Sequence, residues 1–197
     1  MGKLIVCNII SLDGFFEGPD HDVMVMPFDQ GFSEYNVQRL RTADTLLLGK
    51  TTFENFLKYW PEVADSEDAE SVEREISRLN NSIQKVVVSD SLTVGQTAPW
   101  SDTRIVKRGD ANAEVAKMKA EEGGDILVFG SHILWNDLLA NGLVDELHLM
   151  IGAGVVGDGT RAFESKPSGL LRLLDTVTWE GSNLVLLRYG IESSGRA

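Results

Sequence analysis

The sequence predicts an α/β protein whose mainly parallel sheet ends in an antiparallel hairpin. Short apolar runs alternate with longer stretches of helical periodicity from residue 3 to about residue 150, which is the pattern of βαβ units. Two apolar segments around Gly181 then close the chain, as in an antiparallel hairpin. The 197 residues, of which 43% are hydrophobic, fit a single domain spanning 1–197.

Turn residues and apolar runs place the elements along the chain. The first strand, 3–10, leads into a loop that carries Gly14, Gly18 and Pro19. Further strands are expected at 45–49, 85–89, 103–107, 125–130 and 144–152, with the closing hairpin in 170–191. Helices are expected at 32–43, 51–60, 66–82, 112–123 and 131–142. We expect Pro61 to end the second helix, because proline disrupts a helix interior.

Composition and charge exclude several classes of function. A net charge of −12 disfavours nucleic acid as a partner, because the phosphate backbone would be repelled. No apolar run approaches the ~20 residues that span a bilayer, and no cleavable signal peptide is visible. Because the single cysteine, Cys7, cannot form an internal disulfide, we expect a cytoplasmic protein.

The segment "LLLGKTTF" predicts a phosphate-binding turn between a strand and a helix. It is not a Walker A loop, because Asp44 stands where the first glycine of that motif belongs. Gly49 lets the backbone approach a ligand, and Lys50 adds a positive charge. Thr51 and Glu54 have the spacing of a capping box. A helix N-terminus at this position would present free N–H groups to a phosphate, although an ordinary capped helix is the alternative.

A second strand–glycine–helix junction occurs at Gly130-Ser131. In open α/β sheets ligands bind at the carboxyl edge of the strands, so the two junctions together would suit a diphosphate. The segment "GAGVVG" at 152–157 matches the dinucleotide fingerprint, but no helix follows it, and we interpret it as a loop with unusual backbone angles. No pair of histidines has the spacing of metal ligands, and we expect no metal.

Five motifs in this order resemble the dihydrofolate reductase superfamily, and within it the reductase domain of the bifunctional riboflavin-biosynthesis deaminase–reductases. They are "SLDGFFEG", "ADTLLLGKTTFE", "KVVVSDSL", "DILVFGSHILWNDLLANGLVDELHL" and "GAGVVGDGTRAF". The resemblance implies a dihydrofolate reductase-like three-layer sandwich and an oxidoreductase that uses NADPH, with NADH possible. It also implies a small-molecule substrate and a homodimer. The zinc signature of the deaminase is absent, so we expect a reductase domain alone.

The same resemblance implies roles for individual residues. By this resemblance the diphosphate and adenosine side would be held by Gly49, Lys50, Thr51 and Thr52, and the diphosphate at the second helix by Gly130, Ser131, His132 and Ile133. The nicotinamide ring would be lined or covered by Ile9, Ile10, Asp13 and Phe16, and the adenosine ribose would lie near Ser89 and Asp90. Asp13 is the candidate proton donor, as a carboxylic acid with a raised pKa, and water is the alternative. Arg161 is the candidate for binding the substrate phosphate, with a surface arginine as the alternative.

Two departures from the family pattern change the expectations. Folate reductases usually carry an arginine where this chain has Asp90, and a carboxylate would repel a 2′-phosphate and suit ribose hydroxyls. They also carry a carboxylate early in the helix after the flexible loop, which neither Asp29 nor Glu34 matches well. We therefore expect a hydride transfer to a C=N or C=O bond of a pterin-, pyrimidine- or ribityl-type substrate. The alternatives are a folate-type reductase and a catalytically silent nucleotide-binding module.

Overall fold

The computed structural model describes residues 2–192, which form ten strands and five α-helices. The strands are β1 (Leu4–Ile10), β2 (Phe15–Glu17), β3 (Ala43–Gly49), β4 (Gln84–Val88), β5 (Arg104–Val106), β6 (Asp125–Phe129), β7 (Glu146–Ile151), β8 (Thr160–Arg161), β9 (Leu170–Thr178) and β10 (Val185–Glu192). The helices are α1 (Gln30–Leu40), α2 (Lys50–Val63), α3 (Ser71–Ser82), α4 (Ala111–Ala120) and α5 (His132–Ala140).

Eight of these strands form one sheet in the order β5-β4-β3-β6-β1-β7-β10-β9. The six strands from β5 to β7 are parallel, while β10 runs antiparallel to β7 and β9 runs antiparallel to β10. The predicted mainly parallel sheet with an antiparallel C-terminal hairpin is therefore confirmed. The parallel strands bring the ends of β1, β3 and β6 to one carboxyl edge.

Alternating side chains of the strands separate two apolar cores. Cys7 and Leu48 pack with α1, α2 and α3 on one face of the sheet, whereas Val6 and Leu47 pack with α4 and α5 on the other face. Because successive residues of a strand point to opposite faces, a strand buried on both sides reads as a continuous apolar run. The arrangement is the expected three-layer sandwich.

Pro61 does not end α2, which continues to Val63; that expectation is wrong. The hydroxyl of Ser77 in α3 donates to the Trp60 carbonyl at 2.5 Å, and Nδ2 of Asn81 donates to the Pro61 carbonyl at 3.2 Å. Side chains of α3 therefore bond carbonyls in the last turn of α2, where proline disturbs the regular ladder.

The loop predicted after β1 contains the short strand β2, which pairs with β8. Sequence reasoning missed this pair because its members are separated by more than a hundred residues. The expected loop at 152–157 is confirmed, and Gly157 has a φ of 79°. At Gly159, where φ is 130°, a Cβ would lie 2.2 Å from the Glu17 carbonyl oxygen, so only glycine fits beside β2.

None of the helices within residues 2–192 is both long enough and apolar enough to cross a bilayer.

Candidate functional site

The two predicted junctions meet at the carboxyl edge of the sheet. We call residues 49–52, after β3, the first junction, and residues 130–133, after β6, the second junction. The Gly49 N–H donates to Oγ of Ser131 at 3.0 Å, and the Ser131 N–H donates to Oγ1 of Thr52 at 2.9 Å. These reciprocal hydrogen bonds hold the starts of α2 and α5 beside each other.

Both helices begin without a side-chain cap. The N-cap of α2 is Gly49 and that of α5 is Ser131. Neither residue has a side chain that accepts a hydrogen bond from the first turn of its helix. The expected capping box between Thr51 and Glu54 is therefore wrong, because the N-cap is Gly49, two residues before Thr51. Oε1 of Glu54 instead lies 3.7 Å from Nζ of Lys50. Uncapped first turns leave backbone N–H groups and the positive end of the helix dipole available to an anion.

The glycines of the two junctions serve different purposes. Gly49 has a φ of −77°, which any residue adopts, and a Cβ there would approach only Ser131, at 3.8 Å. Gly130 has a φ of 53°, and its Cβ would lie 2.9 Å from the side chain of Thr52. Folding thus requires glycine at 130 but not at 49, where the missing side chain leaves space between the two helix starts. Backbone N–H groups at the starts of two helices are the kind of group that binds an anion such as a phosphate.

Asn8 supports the second junction and was missed by the sequence reasoning. The Gly130 N–H donates to Oδ1 of Asn8 at 2.7 Å, and Nδ2 of Asn8 donates to the Gly130 carbonyl at 3.3 Å. The side chain is buried, so it satisfies the backbone at the end of β6. An amide within the apolar run "LIVCNII" was the available signal.

Basic side chains gather at the β4 and β5 end of the edge. Nζ of Lys50 donates to Oγ of Ser91 at 3.1 Å, and Nζ of Lys107 donates to the Asp90 carbonyl at 2.9 Å. The carboxylate of Asp90 accepts from the Arg108 N–H at 3.1 Å. Three cations thus surround the turn after β4, where we expected the adenosine ribose, and Ser91 is a further polar group that the sequence reasoning overlooked.

Ser89 lies in the same turn, but its hydroxyl is engaged within the protein. It is buried, and its Oγ accepts from the N–H groups of Ser91 and Leu92 at 3.1 and 2.9 Å. Ser89 therefore shapes the turn that presents Asp90.

The residues expected near the nicotinamide lie around the ends of β1 and β6. Ile9 and Ile10 are both buried and pack in the cores on opposite faces of the sheet. Phe16 packs against His132 with 5.0 Å between the ring centroids. The side chains of Ile9 and Ile10 therefore cannot both face the same side of a bound ring. Ile133, the last residue of the second junction, is exposed.

Asp13 has a lowered pKa, so the expectation of a raised pKa is wrong. Its carboxylate accepts hydrogen bonds from the Ser11 hydroxyl at 2.6 Å, the Val156 N–H at 3.1 Å and the Gly157 N–H at 2.8 Å. These bonds, led by the one from Ser11, hold the pKa of Asp13 at about 2 because they stabilise the charged form. The carboxylate joins the loop after β1 to the loop after β7.

Two further predicted side chains are engaged by the protein. The Arg161 guanidinium donates to the Asp13 carbonyl at 2.9 Å and lies 4.1 Å from the Phe15 ring centroid. Nε2 of His132 lies 2.7 Å from the Arg161 carbonyl oxygen. His132 can therefore offer its backbone N–H, rather than this ring nitrogen, to a phosphate.

The sequence matches the profile of one protein family over nearly its whole length. The sequence profile described as the RibD C-terminal domain matches residues 2–187. The chain is 30% identical over 191 residues to the uncharacterised protein YyaP of Bacillus subtilis strain 168, covering 95% of this chain and 94% of that protein.

Solved structures show the same fold at low sequence identity. A riboflavin biosynthesis protein from Shewanella sp. PV-4 superposes with a TM-score of 0.67 at 18% identity, covering 96% of this chain and 99% of that chain. A deaminase/5-amino-6-(5-phosphoribosylamino)uracil reductase from Thermotoga maritima gives 0.65 at 12% identity, covering 97% of this chain and 57% of that chain. Dihydrofolate reductase from Enterococcus faecalis, complexed with NADP(H), gives 0.62 at 14% identity and 98% coverage of both chains.

Proposed function

Because the chain belongs to the RibD C-terminal domain family, we propose that it is a reductase that uses NADPH or NADH. Its substrate would carry a C=N or C=O bond in a small pterin-, pyrimidine- or ribityl-type molecule, as in 5-amino-6-(5-phosphoribosylamino)uracil reductase. The observation that carries the proposal is the pair of uncapped helix starts joined through Gly49, Thr52 and Ser131. The single buried thiol of Cys7 suits a cytoplasmic setting.

The residues of the edge would bind the cofactor in one direction. Backbone N–H groups at the starts of α2 and α5 would hold its diphosphate, and Lys50, Lys107 and Arg108 would attract the phosphate-rich adenosine half. The nicotinamide half would then lie toward β1 and β7, beside Ile133 and Phe16. When bound, the reduced nicotinamide supplies a hydride, and with it both electrons of the reduction.

Water supplies the proton in this proposal. Because the pKa of Asp13 is held at about 2, its carboxylate has no proton to give at neutral pH. Asp13 instead positions the loops after β1 and β7, which border the reacting end of the edge.

Asp90 would weaken the preference for NADPH over NADH. Its carboxylate accepts from the Arg108 N–H and lies 3.9 Å from the Arg108 guanidinium, while Nζ of Lys107 donates to its backbone carbonyl. This negative charge partly neutralises the cations that a 2′-phosphate would meet. The same oxygens could accept hydrogen bonds from ribose hydroxyls. We therefore propose that both cofactors bind with similar affinity, and a preference of several hundredfold for NADPH would contradict this role of Asp90.

The hydrogen bonds that Asp29 makes within the protein disfavour a folate substrate. Its Oδ1 accepts from the Gly31 N–H at 2.9 Å, and its Oδ2 accepts from the Ser182 hydroxyl at 2.7 Å. The carboxylate therefore caps α1 and ties it to the β9–β10 turn, which leaves it engaged on both oxygens. Turnover of dihydrofolate would contradict this conclusion.

The first test is a titration with NADPH and with NADH, followed by quenching of tryptophan fluorescence. Trp135 lies 5.8 Å from His132 at the second junction, so a bound nicotinamide would be close enough for energy transfer. We expect dissociation constants in the micromolar range for both cofactors. The absence of binding up to millimolar concentrations would overturn the proposal, and binding without turnover of any carbonyl or imine would favour a silent nucleotide-binding module.

A further inference from the structure

The loops after β1 and β7 form one surface beside the proposed nicotinamide end. We call residues 11–28 and 152–163 the β1–β7 lip. The Leu12 N–H donates to the Gly154 carbonyl at 2.8 Å, and the Ala162 N–H donates to the Gly14 carbonyl at 3.0 Å. Added to the bonds of Asp13 and the β2–β8 pair, these contacts make the two segments one continuous border of the carboxyl edge.

The lip is acidic, in contrast to the basic end at β4 and β5. Its carboxylates are Asp13, Glu17, Asp20, Asp22 and Asp158. Apart from His21, its basic residue is Arg161, because neither segment contains another lysine or arginine. A dianionic phosphate placed here would meet a field of its own sign.

Arg161 is poorly placed to offset this field. Its guanidinium is shared between the Asp13 carbonyl oxygen and the face of the buried Phe15 ring. Turning it toward a substrate would give up a charge-assisted hydrogen bond and a cation–π contact.

The lip also exposes apolar side chains beside its carboxylates. Leu12, Met24 and Val155 are 62%, 74% and 71% exposed. The Leu12 N–H donates to the carbonyl of Gly154, the residue before Val155. A Cβ at Gly154 would lie 3.8 Å from the carbonyl oxygen of Val25, the residue after Met24. Exposed apolar groups gathered at one site commonly mark a binding surface for apolar ligands.

We infer that the substrate reduced at this site is uncharged or cationic and carries an apolar edge, and is not a phosphate ester. This inference rests on the proposed function and narrows its substrate class. The phosphates that the protein binds would then be those of the cofactor, at the opposite end of the edge.

The test compares two matched pairs of compounds. The first pair is 5-amino-6-(ribosylamino)uracil and its 5′-phosphate, and the second is 4-methylbenzaldehyde and 4-carboxybenzaldehyde. Turnover is followed by loss of nicotinamide absorbance with NADPH, and binding is followed by thermal shift of the protein loaded with NADP⁺. We expect the neutral member of at least one pair to be favoured by at least about tenfold, since the anionic member would bring a like charge against the acidic lip.

Equal use of both members, or preference for the anionic one, would overturn the inference and leave the reductase proposal intact. Failure of both pairs to bind the protein loaded with NADP⁺ would overturn the inference that the lip forms part of the substrate site. Loss of cofactor binding itself would instead count against the proposed function, and the preceding titration detects that separately.

Two charge-reversal variants distinguish the effect of the lip on substrate selection from the effect of the net charge of the molecule. Asp158→Lys should improve use of the anionic member by about three- to tenfold, because the lip gains two units of positive charge. Glu67→Lys makes the same change of charge on an exposed residue of the segment between α2 and α3. This variant should alter use of the anionic member less than twofold. Equal effects of the two variants would mean that net charge, rather than the lip, governs selection.

Discussion

At Gly49 the backbone has a φ of −77°, and a Cβ would approach the protein no closer than 3.8 Å. Nothing in the folded chain therefore explains a glycine there. A bound phosphate would explain it, because the Cβ would enter the space that the phosphate needs.

Gly49→Ala should separate folding from binding. We expect the free energy of unfolding to fall by about 1 kcal/mol, the typical size of an N-cap exchange to alanine. Affinity for NADPH should fall by at least about tenfold, which corresponds to losing about 1.4 kcal/mol of phosphate contacts. The measurements are denaturant unfolding and the fluorescence titration. Gly95→Ala, at a glycine with no heavy atom within 4 Å, is the control and should change neither.

Asp90 allows a second test at the scale of one side chain. Asp90→Asn should shift the ratio of dissociation constants toward NADPH by about three- to tenfold, because an exposed like charge near the 2′-phosphate is removed. NADH affinity should change little. Asp68→Asn, remote on the segment before α3, serves as the control. An unchanged ratio in Asp90→Asn would place the 2′-phosphate elsewhere.

Single residues also show where sequence reasoning reached its limit. Gly49 and Ser131 could be placed beside helix starts because the apolar period and the glycines are local signals. Their mutual hydrogen bond, and the engagement of Ser89, Asp13 and Arg161 inside the protein, depend on partners that tertiary structure supplies. Asn8 looked like one more position of a buried strand until its bonds to Gly130 were known.

At the scale of elements, a buried polar network attaches α1 to β7. The hydroxyl of Tyr35 lies 2.8 Å from Nδ1 of His148, whose Nε2 lies 2.8 Å from Oε2 of Glu146. Burial lowers the pKa of His148 to about 4, and Glu146 offsets this only in part. Burial alone would raise the pKa of Glu146, but hydrogen bonds with Lys3 and His148 outweigh it and lower that pKa to about 2.

This network should make the protein sensitive to acid. Between pH 6.5, the ordinary pKa of histidine, and about pH 4, the unfolded chain takes up a proton that folded His148 refuses. The free energy of unfolding must therefore fall as the pH falls through this window. Glu146 adds a further loss from about pH 4.5 down to about pH 2, because its folded pKa is also lowered.

His148→Gln should flatten the decline between pH 6.5 and 4, and should lower stability at pH 7 by about 1–3 kcal/mol through lost buried hydrogen bonds. Urea unfolding at several pH values measures both effects. The control is His21→Gln, because His21 is exposed and its pKa is raised by its bond to Glu17. That variant should retain the decline, and a decline that persists in His148→Gln would assign it to other groups.

Elements with local signals were predictable, and elements made by distant pairing were not. The run "KVVVS" and the helix before Gly142 appear close to their expected places, because periodicity and turn residues mark them. The β2–β8 pair depends on contacts between the lip segments, and the continuation of α2 past Pro61 depends on Ser77 and Asn81 of α3.

At the scale of the molecule, β9 is an edge strand of nine residues with exposed apolar side chains on both of its faces. Leu170, Leu171, Leu173 and Leu174 are all exposed, and an unprotected edge also presents free backbone groups. We propose that β9 and the adjoining hairpin contact a second copy of the chain to form a homodimer. The partner is a second copy of the chain because β9 is a long edge strand with several exposed leucines side by side. Single exposed leucines are normal on a protein surface, whereas a contiguous apolar strand marks an interface.

Leu171→Glu with Leu173→Glu should abolish this dimer, since two charges on one face of the strand would be buried against the partner. Sedimentation equilibrium should give twice the chain mass for the wild type and one chain mass for the variant, with unchanged circular dichroism. Val94→Glu replaces a comparably exposed apolar side chain elsewhere and should leave the dimer intact. A monomeric wild type would remove the proposal.

The bond between Gly49 and Ser131 joins residues 82 positions apart in the chain. Ser131 follows β6, which lies between β3 and β1, so the two helix starts are neighbours only where these central strands are in this order. A chain with a different strand order would lack the junction at which we propose that the dinucleotide binds. Bound cofactor would therefore stabilise, by mass action, only those molecules whose central strands are in this order. Added cofactor should consequently rescue variants that are slow to complete the sheet.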